Sequence, residues 1–179
     1  MSTGLTSTVD DADQTVGRRR LVVEFGARVA VAVDALVVGD HRGLDALVLL
    51  VGECEDRLGS NDRQTLRVRT AVASWRGELG DPRSAQNALG VLYTQAQDIL
   101  GPTDPDTLLI GSNSAAFTGI AGDPCAAAEM LALILPDVER RFGRGSAVAN
   151  TVRTNLSVWL ARSGAVDHPG VDTNEIPSG

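Results

Sequence analysis

The side chains that carry most enzyme chemistry are scarce in this chain. All 16 basic residues are arginine, so the sequence offers no lysine for a phosphate-binding loop, a Schiff base or general-base catalysis. The two histidines are His41, in a turn after Gly39-Asp40, and His168, in a polar stretch beside Pro169, and neither context favours a catalytic triad or a histidine-rich metal site. The residue types therefore predict a protein that is not an enzyme and uses no metal or cofactor.

The two cysteines, Cys54 and Cys125, lie far apart in the sequence and form no Cys-x-x-Cys pair. This pattern predicts reduced, small apolar side chains on the helices of a cytoplasmic protein, because disulfides are rare in that compartment. A disulfide between the two residues stays an open alternative.

Composition and charge favour an acidic helical protein. Apolar residues make up 43% of the chain and aromatic residues only 3%, a mixture that suits closely packed helices. A formal net charge of −7 would repel phosphate backbones, so nucleic acid is not an expected partner. The apolar run at 21–38 is interrupted by Glu24, Arg28 and Asp34, which predicts an amphipathic helix and no membrane association.

The elements that position these residues come from a repeat of about 42 residues. The pairs Leu58-Gly59, Leu100-Gly101 and Phe142-Gly143 are 42 residues apart. A second set of markers keeps step at spacings of 41, 42 and 42 residues: Gly39-Asp40, Gly80-Asp81, Gly122-Asp123 and Gly164-Ala165. Two independent markers with one period predict an array of helix hairpins.

Each repeat unit predicts two helices joined by a tight turn. Glycine at the marker ends the first helix, the following Asp caps the second, and Pro82 and Pro124 take the first helical position. We expect first helices at about 18–38, 65–79, 107–121 and 148–163, and second helices at about 43–57, 82–99 and 124–141. Residues 1–14 and 165–179 are predicted to be flexible ends of a repeat domain at 15–164.

A family resemblance rests on the string Leu100-Gly-Pro-Thr-Asp-Pro-Asp-Thr-Leu108 and on the turn Ala121-Gly-Asp-Pro124. With Ala115, Phe117 and Gly119 between them, they resemble the 42-residue tetratricopeptide repeats of kinesin light chains, and more closely the repeats appended to bacterial nucleotide-binding regulators. The resemblance covers about residues 18–164. It implies an all-α, right-handed superhelix of antiparallel helix hairpins, about three and a half repeats long, whose concave groove receives a peptide or a partner helix.

The resemblance also implies groove contacts at fixed positions of the first helices. Asn113 and Asn155 stand where the family often places an asparagine whose amide hydrogen-bonds a peptide backbone, whereas Ala71 replaces it one repeat earlier. The polar and charged residues at these positions, which are the expected contacts, are Arg67, Thr70, Ser74, Ser112, Asn113, Thr151, Thr154 and Asn155. The remaining positions of the groove are held by Ala71, Leu109, Ala116 and Val158. The alternative is that these are solvated polar residues of an exposed helix face.

The last predicted helix has no second helix after it, which predicts open apolar surface at the end of the array. Val152, Leu156, Trp159 and Leu160 are the expected members of this association surface, through which a homodimer or a partner would form. The alternative is that the following polar segment folds back over them. Trp159, like Phe117 and Trp75, recurs at one repeat offset and is expected to lie in the hairpin core.

Three function classes follow from these patterns. The leading prediction is a non-catalytic scaffold that binds a protein or peptide, with a role as accessory to a bacterial regulator as one form of it. The second is a regulatory sensor that binds a small ligand and changes its oligomeric state, which requires polar groups converging in an apolar cavity. The third, an enzyme, is disfavoured by the absent lysine and scarce histidine.

Overall fold

A computed structural model describes the backbone of residues 5–166 and the side chains of residues 15–164. Within this part of the chain the protein consists of seven α-helices and turns, without a strand, which confirms the predicted all-helical class. Each helix packs against its neighbour within a unit, as in an array of helix hairpins. The helices are α1 (Leu5–Val37), α2 (Arg42–Leu58), α3 (Arg63–Glu78), α4 (Pro82–Leu100), α5 (Pro105–Ile120), α6 (Pro124–Phe142) and α7 (Ala147–Val166).

Helices α2 to α6 begin and end within two residues of their predicted bounds, because the turns carry strong local signals. The Asp81 carboxylate accepts a hydrogen bond from the Ser84 backbone N–H at 3.1 Å, and Asp123 accepts one from Ala126 at 2.9 Å. The glycine before each of these caps has a positive φ, 110° at Gly80, a conformation that side-chain-bearing residues rarely adopt. The predicted Gly-Asp-Pro turn is confirmed.

The ends of the array differ from the prediction. Helix α1 begins at Leu5, so residues 5–14 are helical where a flexible leader was expected. Gly164 was expected to end the last first-type helix, but α7 continues through it to Val166, so that marker is wrong. The residue after Gly164 is Ala165, which cannot cap a following helix as Asp does, and one glycine inside a helix costs only about 1 kcal/mol. Most of the predicted C-terminal tail, from residue 167 onward, lies outside the described residues.

The chain divides into two compact units, Met1–Leu79 and Gly80–Gly179. In the first unit α2 packs against both α1 and α3, and α1 also contacts α3. Its core is a cluster of buried side chains centred on Phe25, Leu47, Leu50 and Val68. Arg18 of α1 forms an ion pair with the buried Asp62, whose carboxylate also caps α3. This ion pair joins α1 to the α2–α3 turn.

In the second unit α5 packs against α4 and α6, and α7 packs against α6 and also contacts α5. Leu108, Leu131, Val138, Val152 and Trp159 are buried together in its core. A Cβ added to Gly119 would lie 2.6 Å from the Trp159 ring, so the two helices α5 and α7 approach closely at this point. The unit is therefore built from tightly packed helices with small residues at the closest contacts.

Within residues 5–166, no helix combines the length and the apolar content needed to span a lipid bilayer.

Candidate partner-binding site

Helix α5 is buried on nearly every side and keeps one exposed stripe. Eleven of its sixteen residues are buried, including polar ones such as Thr107 and Ser114. Leu109, Asn113 and Ile120 are exposed and Ala116 is half-buried between them. Their spacing of 4, 3 and 4 residues places all four on one face of the helix. Any partner that reaches α5 must therefore reach it along this stripe.

Helix α7 repeats the stripe 42 residues later. Thr151, Val158 and Arg162 are exposed and Asn155 is half-buried, at the positions that match Leu109, Ala116, Ile120 and Asn113 in that repeat. Because α5 and α7 contact each other and both pack on α6, equivalent positions of the two helices point to the same side. We call this surface the α5–α7 face, and it includes the exposed Thr154, which lies next to Thr151 and Val158 on α7. Its members are Leu109, Asn113, Ala116, Ile120, Thr151, Thr154, Asn155, Val158 and Arg162.

The α5–α7 face joins two kinds of contact. An asparagine carboxamide has two N–H donors and an acceptor oxygen, so the Asn113 and Asn155 side chains are of the type that complements the C=O and N–H groups of an extended peptide. Leu109, Ile120 and Val158 are exposed apolar side chains beside them. A surface that combines amides with apolar side chains can bind a peptide backbone and its side chains together.

Four of the second-unit residues expected to contact a partner lie on the α5–α7 face, and one, Ser112, does not. Asn113, Thr151 and Thr154 are exposed and Asn155 is half-buried, whereas Ser112 is buried in α5 and does not reach the surface. Ile120 was not among the expected contacts. The signal that identifies it is its place four residues beyond Ala116 on the same helix stripe.

The other expected groove residues belong to the first unit and lie on α3. Arg67 is exposed, and Thr70 and Ser74 are half-buried. The Thr70 hydroxyl donates a hydrogen bond to the Leu66 carbonyl at 2.8 Å, four residues earlier in the same helix. This internal bond occupies the Thr70 proton, so its hydroxyl is less available to a partner than the exposed threonines of α7.

The predicted association surface on α7 divides into buried and exposed members. Val152 is 1% exposed and Trp159 is 6% exposed, because both contribute to the core of the second unit. Leu156 is half-buried and packs against that core, and Leu160 is 56% exposed. The open part of this surface is therefore Leu160 with part of Leu156.

Polar contacts fix the start of α7 against α6. Arg153 donates hydrogen bonds to the Glu139 carboxylate at 2.8 Å, to the Asn150 amide oxygen at 2.9 Å and to the Arg144 carbonyl at 3.0 Å. Glu139 also pairs with Arg144 at 3.2 Å. These bonds fix the first turns of α7 against the end of α6, and Thr151, Thr154 and Asn155 lie next to Arg153 in that part of α7.

The chemistry-bearing side chains are dispersed among the described residues. Both thiols are free: Cys125 is exposed in the second unit, and Cys54 is buried in the first, where burial raises the pKa of its thiol. His41 is exposed in the α1–α2 turn, whereas His168 lies outside the described residues. No group of three or more His, Cys, Asp and Glu residues that could hold a metal ion occurs in the described part of the chain.

Comparison with known proteins adds no assignment. The chain matches no protein-family model, and no curated protein is detectably similar to it in sequence. The repeat and the geometry of its helices therefore carry the functional argument.

Proposed function

We propose that this protein is a non-catalytic interaction scaffold that binds an extended peptide or a partner protein through the α5–α7 face. The observation that supports this most directly is the single exposed stripe of α5, in which an asparagine lies between Leu109 and Ile120 while the rest of the helix is buried. Helix α7 exposes a stripe of polar and apolar side chains at the equivalent positions, 42 residues later. The two stripes together offer a continuous surface for a peptide in extended conformation.

The finer features of the proposal come from the 42-residue repeat and its resemblance to tetratricopeptide repeats. They comprise a right-handed superhelix of hairpins, a groove lined by the first helices, and a role as accessory to a bacterial regulator in the cytoplasm. In this scheme the Asn113 and Asn155 amides hydrogen-bond the peptide backbone, and apolar peptide side chains pack on Leu109, Ile120 and Val158. Any catalysis would belong to the partner.

A random 12-residue peptide library displayed on phage tests the proposal directly. The strongest selected peptide would be synthesised with a fluorescent label, and its Kd measured by anisotropy for the wild-type chain and for Asn113→Ala with Asn155→Ala. Each lost hydrogen bond is worth about 0.5–1.5 kcal/mol, so the double variant should weaken binding roughly 5- to 150-fold.

The matched control is Asn87→Ala, which removes an exposed asparagine of α4 outside the α5–α7 face. It should leave the Kd unchanged. Circular dichroism of all variants would show that the helices remain folded, and Asn155→Ala alone provides a second, milder test. If the library yields no peptide above background, or if the double variant binds as tightly as Asn87→Ala, peptide binding by this face is wrong.

A further inference from the structure

The first unit has an open apolar furrow between α1 and α2. Its volume is about 620 Å³, and its walls are formed by small or apolar side chains of both helices. Val31 on α1 is 70% exposed and Leu49 on α2 is 69% exposed, although both belong to the furrow. Two large, exposed apolar side chains that line one furrow mark a surface suited to association.

The furrow is shallow-walled because the two helices approach each other closely beneath it. A Cβ added to Gly43 of α2 would lie 2.3 Å from the Ala32 carbonyl oxygen of α1 and 2.7 Å from the Leu36 side chain. The buried Ala32, Gly43 and Leu50 form the floor of the furrow, and two of these three residues carry a methyl group or no side chain at all. Such a floor accepts the ridge of another helix, as close helix packing requires.

Each end of the furrow carries both signs of charge. At one end the Arg28 guanidinium binds Glu53 through two hydrogen bonds of 2.6 and 2.7 Å, and this contact holds the pKa of the Glu53 carboxyl below its usual range. At the other end Arg42 pairs with Asp40 at 2.8 Å. All four side chains line the furrow.

We infer that this furrow is the contact surface for a second copy of the same chain, giving a two-fold symmetric dimer of α1–α2 hairpins. In a two-fold contact the same surface meets itself, so each charged end faces a charged end of the other copy. Because every end holds one arginine and one carboxylate, an arginine can face a carboxylate in either antiparallel or parallel overlay. Val31 and Leu49 of the two copies then pack against each other, and the two α1–α2 hairpins together form a four-helix contact.

Other occupants fit the furrow less well. A small ligand needs a few polar groups that converge on it, but the polar side chains of this furrow lie at its two ends, away from the apolar centre. A peptide with charges of one sign would meet a side chain of the same sign at both ends of the furrow. A copy of the chain brings both signs, and because each end of the furrow carries no net charge, the contact adds no repulsion of its own to that between two molecules of net charge −7.

Sedimentation equilibrium of the full-length chain up to about 100 μM tests the inference, a range that detects weak association. The wild type should sediment as a dimer. Leu49→Glu should raise the dimer Kd by at least ~100-fold, because symmetry places the buried charge in the contact twice. Arg28→Glu should also raise the Kd, since it sets like charges against Glu53 and against the facing carboxylate. Leu49 and Arg28 are exposed, so both variants should keep the wild-type helix content.

The matched control is Leu160→Glu, the same substitution at an exposed leucine of α7 in the other unit. It should leave the dimer intact. A monomeric wild type, a Leu49→Glu dimer of unchanged Kd, or an Arg28→Glu dimer of unchanged Kd would each overturn the inference. A dimer that dissociates in Leu160→Glu but persists in Leu49→Glu would overturn it in favour of association through α7.

Discussion

Substituting alanine for Gly119 should destabilise the second unit although alanine is the better helix former. Gly119 lies inside α5, where alanine would contribute about 1 kcal/mol through helix propensity. The new Cβ would lie 2.6 Å from the Cδ2 and Cε2 atoms of Trp159 and 2.7 Å from Cζ2. Carbon atoms pack best at about 3.5–4.0 Å, so the ring would have to move by roughly 1 Å.

The Trp159 ring has little freedom to make that movement. The residue is buried in the core of the second unit, and Arg162 stacks over its ring with the guanidinium carbon 4.8 Å from the centroid. Overpacking a core costs about 1–3 kcal/mol, and a rigid ring places this case toward the upper end. After the propensity gain is subtracted, we expect Gly119→Ala to lower the free energy of unfolding by about 1–2 kcal/mol.

The assay is urea unfolding followed by tryptophan fluorescence in a Trp75→Phe background, so that Trp159 alone reports the second unit. Gly90→Ala is the control, because a Cβ at this helical glycine of α4 meets no atom within 4 Å. It should stabilise by about 0.5–1 kcal/mol. A Gly119→Ala chain as stable as its parent, or more stable, would show that the close approach of α5 and α7 is misjudged.

Two further predictions concern single polar contacts. Thr107 is fully buried and its hydroxyl donates to the Ala96 carbonyl at 3.1 Å, so Thr107→Val should cost about 1–3 kcal/mol in urea unfolding, whereas Thr107→Ser keeps the donor and should cost less. The hydrogen bonds from Arg28 lower the pKa of the Glu53 carboxyl in the folded chain. The stabilisation from this pair is therefore fully present above the pKa of Glu53 in the unfolded chain, about 4.3, and it is lost as pH falls through the lower pKa of Glu53 in the folded chain. The difference in urea midpoint between wild type and Glu53→Gln should therefore shrink as pH falls below about 4.3, and a constant difference would contradict the assignment.

The interior turns could be predicted from sequence because each one carries its own local signals. Gly80 and Gly122 end helices in a backbone conformation that other residues avoid, and Asp81 and Asp123 then bind the free N–H groups of the next helix. These effects act over a few residues and need no knowledge of the rest of the fold. The same local logic explains the error at Gly164, where the glycine is present but the capping Asp is absent.

The division of α7 between core and surface needed the packing itself. Val152 and Leu156 were predicted to be open because no helix was expected after them, whereas Trp159 was expected in the hairpin core as well as in that surface. In the structure, residues 152, 156 and 159 form the apolar stripe of α7 that packs against the core formed with α6 and α5. A terminal helix still buries its most apolar stripe against the helices beside it, and it exposes its other sides. Sequence periodicity identifies such a stripe, but it does not tell which neighbour covers it.

The furrow on α1 and α2 escaped prediction for a related reason. Its floor depends on Gly43 passing close to Ala32, and its ends depend on ion pairs such as the one between Arg28 and Glu53, which are 25 residues apart. No repeat marker or local motif connects residues at that separation. Only the pairing of the two helices places them around one surface.

The two proposed surfaces belong to different units of the chain, so their tests can be crossed. If peptide binding uses the α5–α7 face and dimerisation uses the furrow, Asn155→Ala should weaken peptide binding and leave the sedimenting mass unchanged. Leu49→Glu should do the reverse, giving monomers that bind the peptide with wild-type affinity per chain. A variant that alters both readouts would mean that association and peptide binding are coupled, and the two surfaces could then no longer be treated as independent sites.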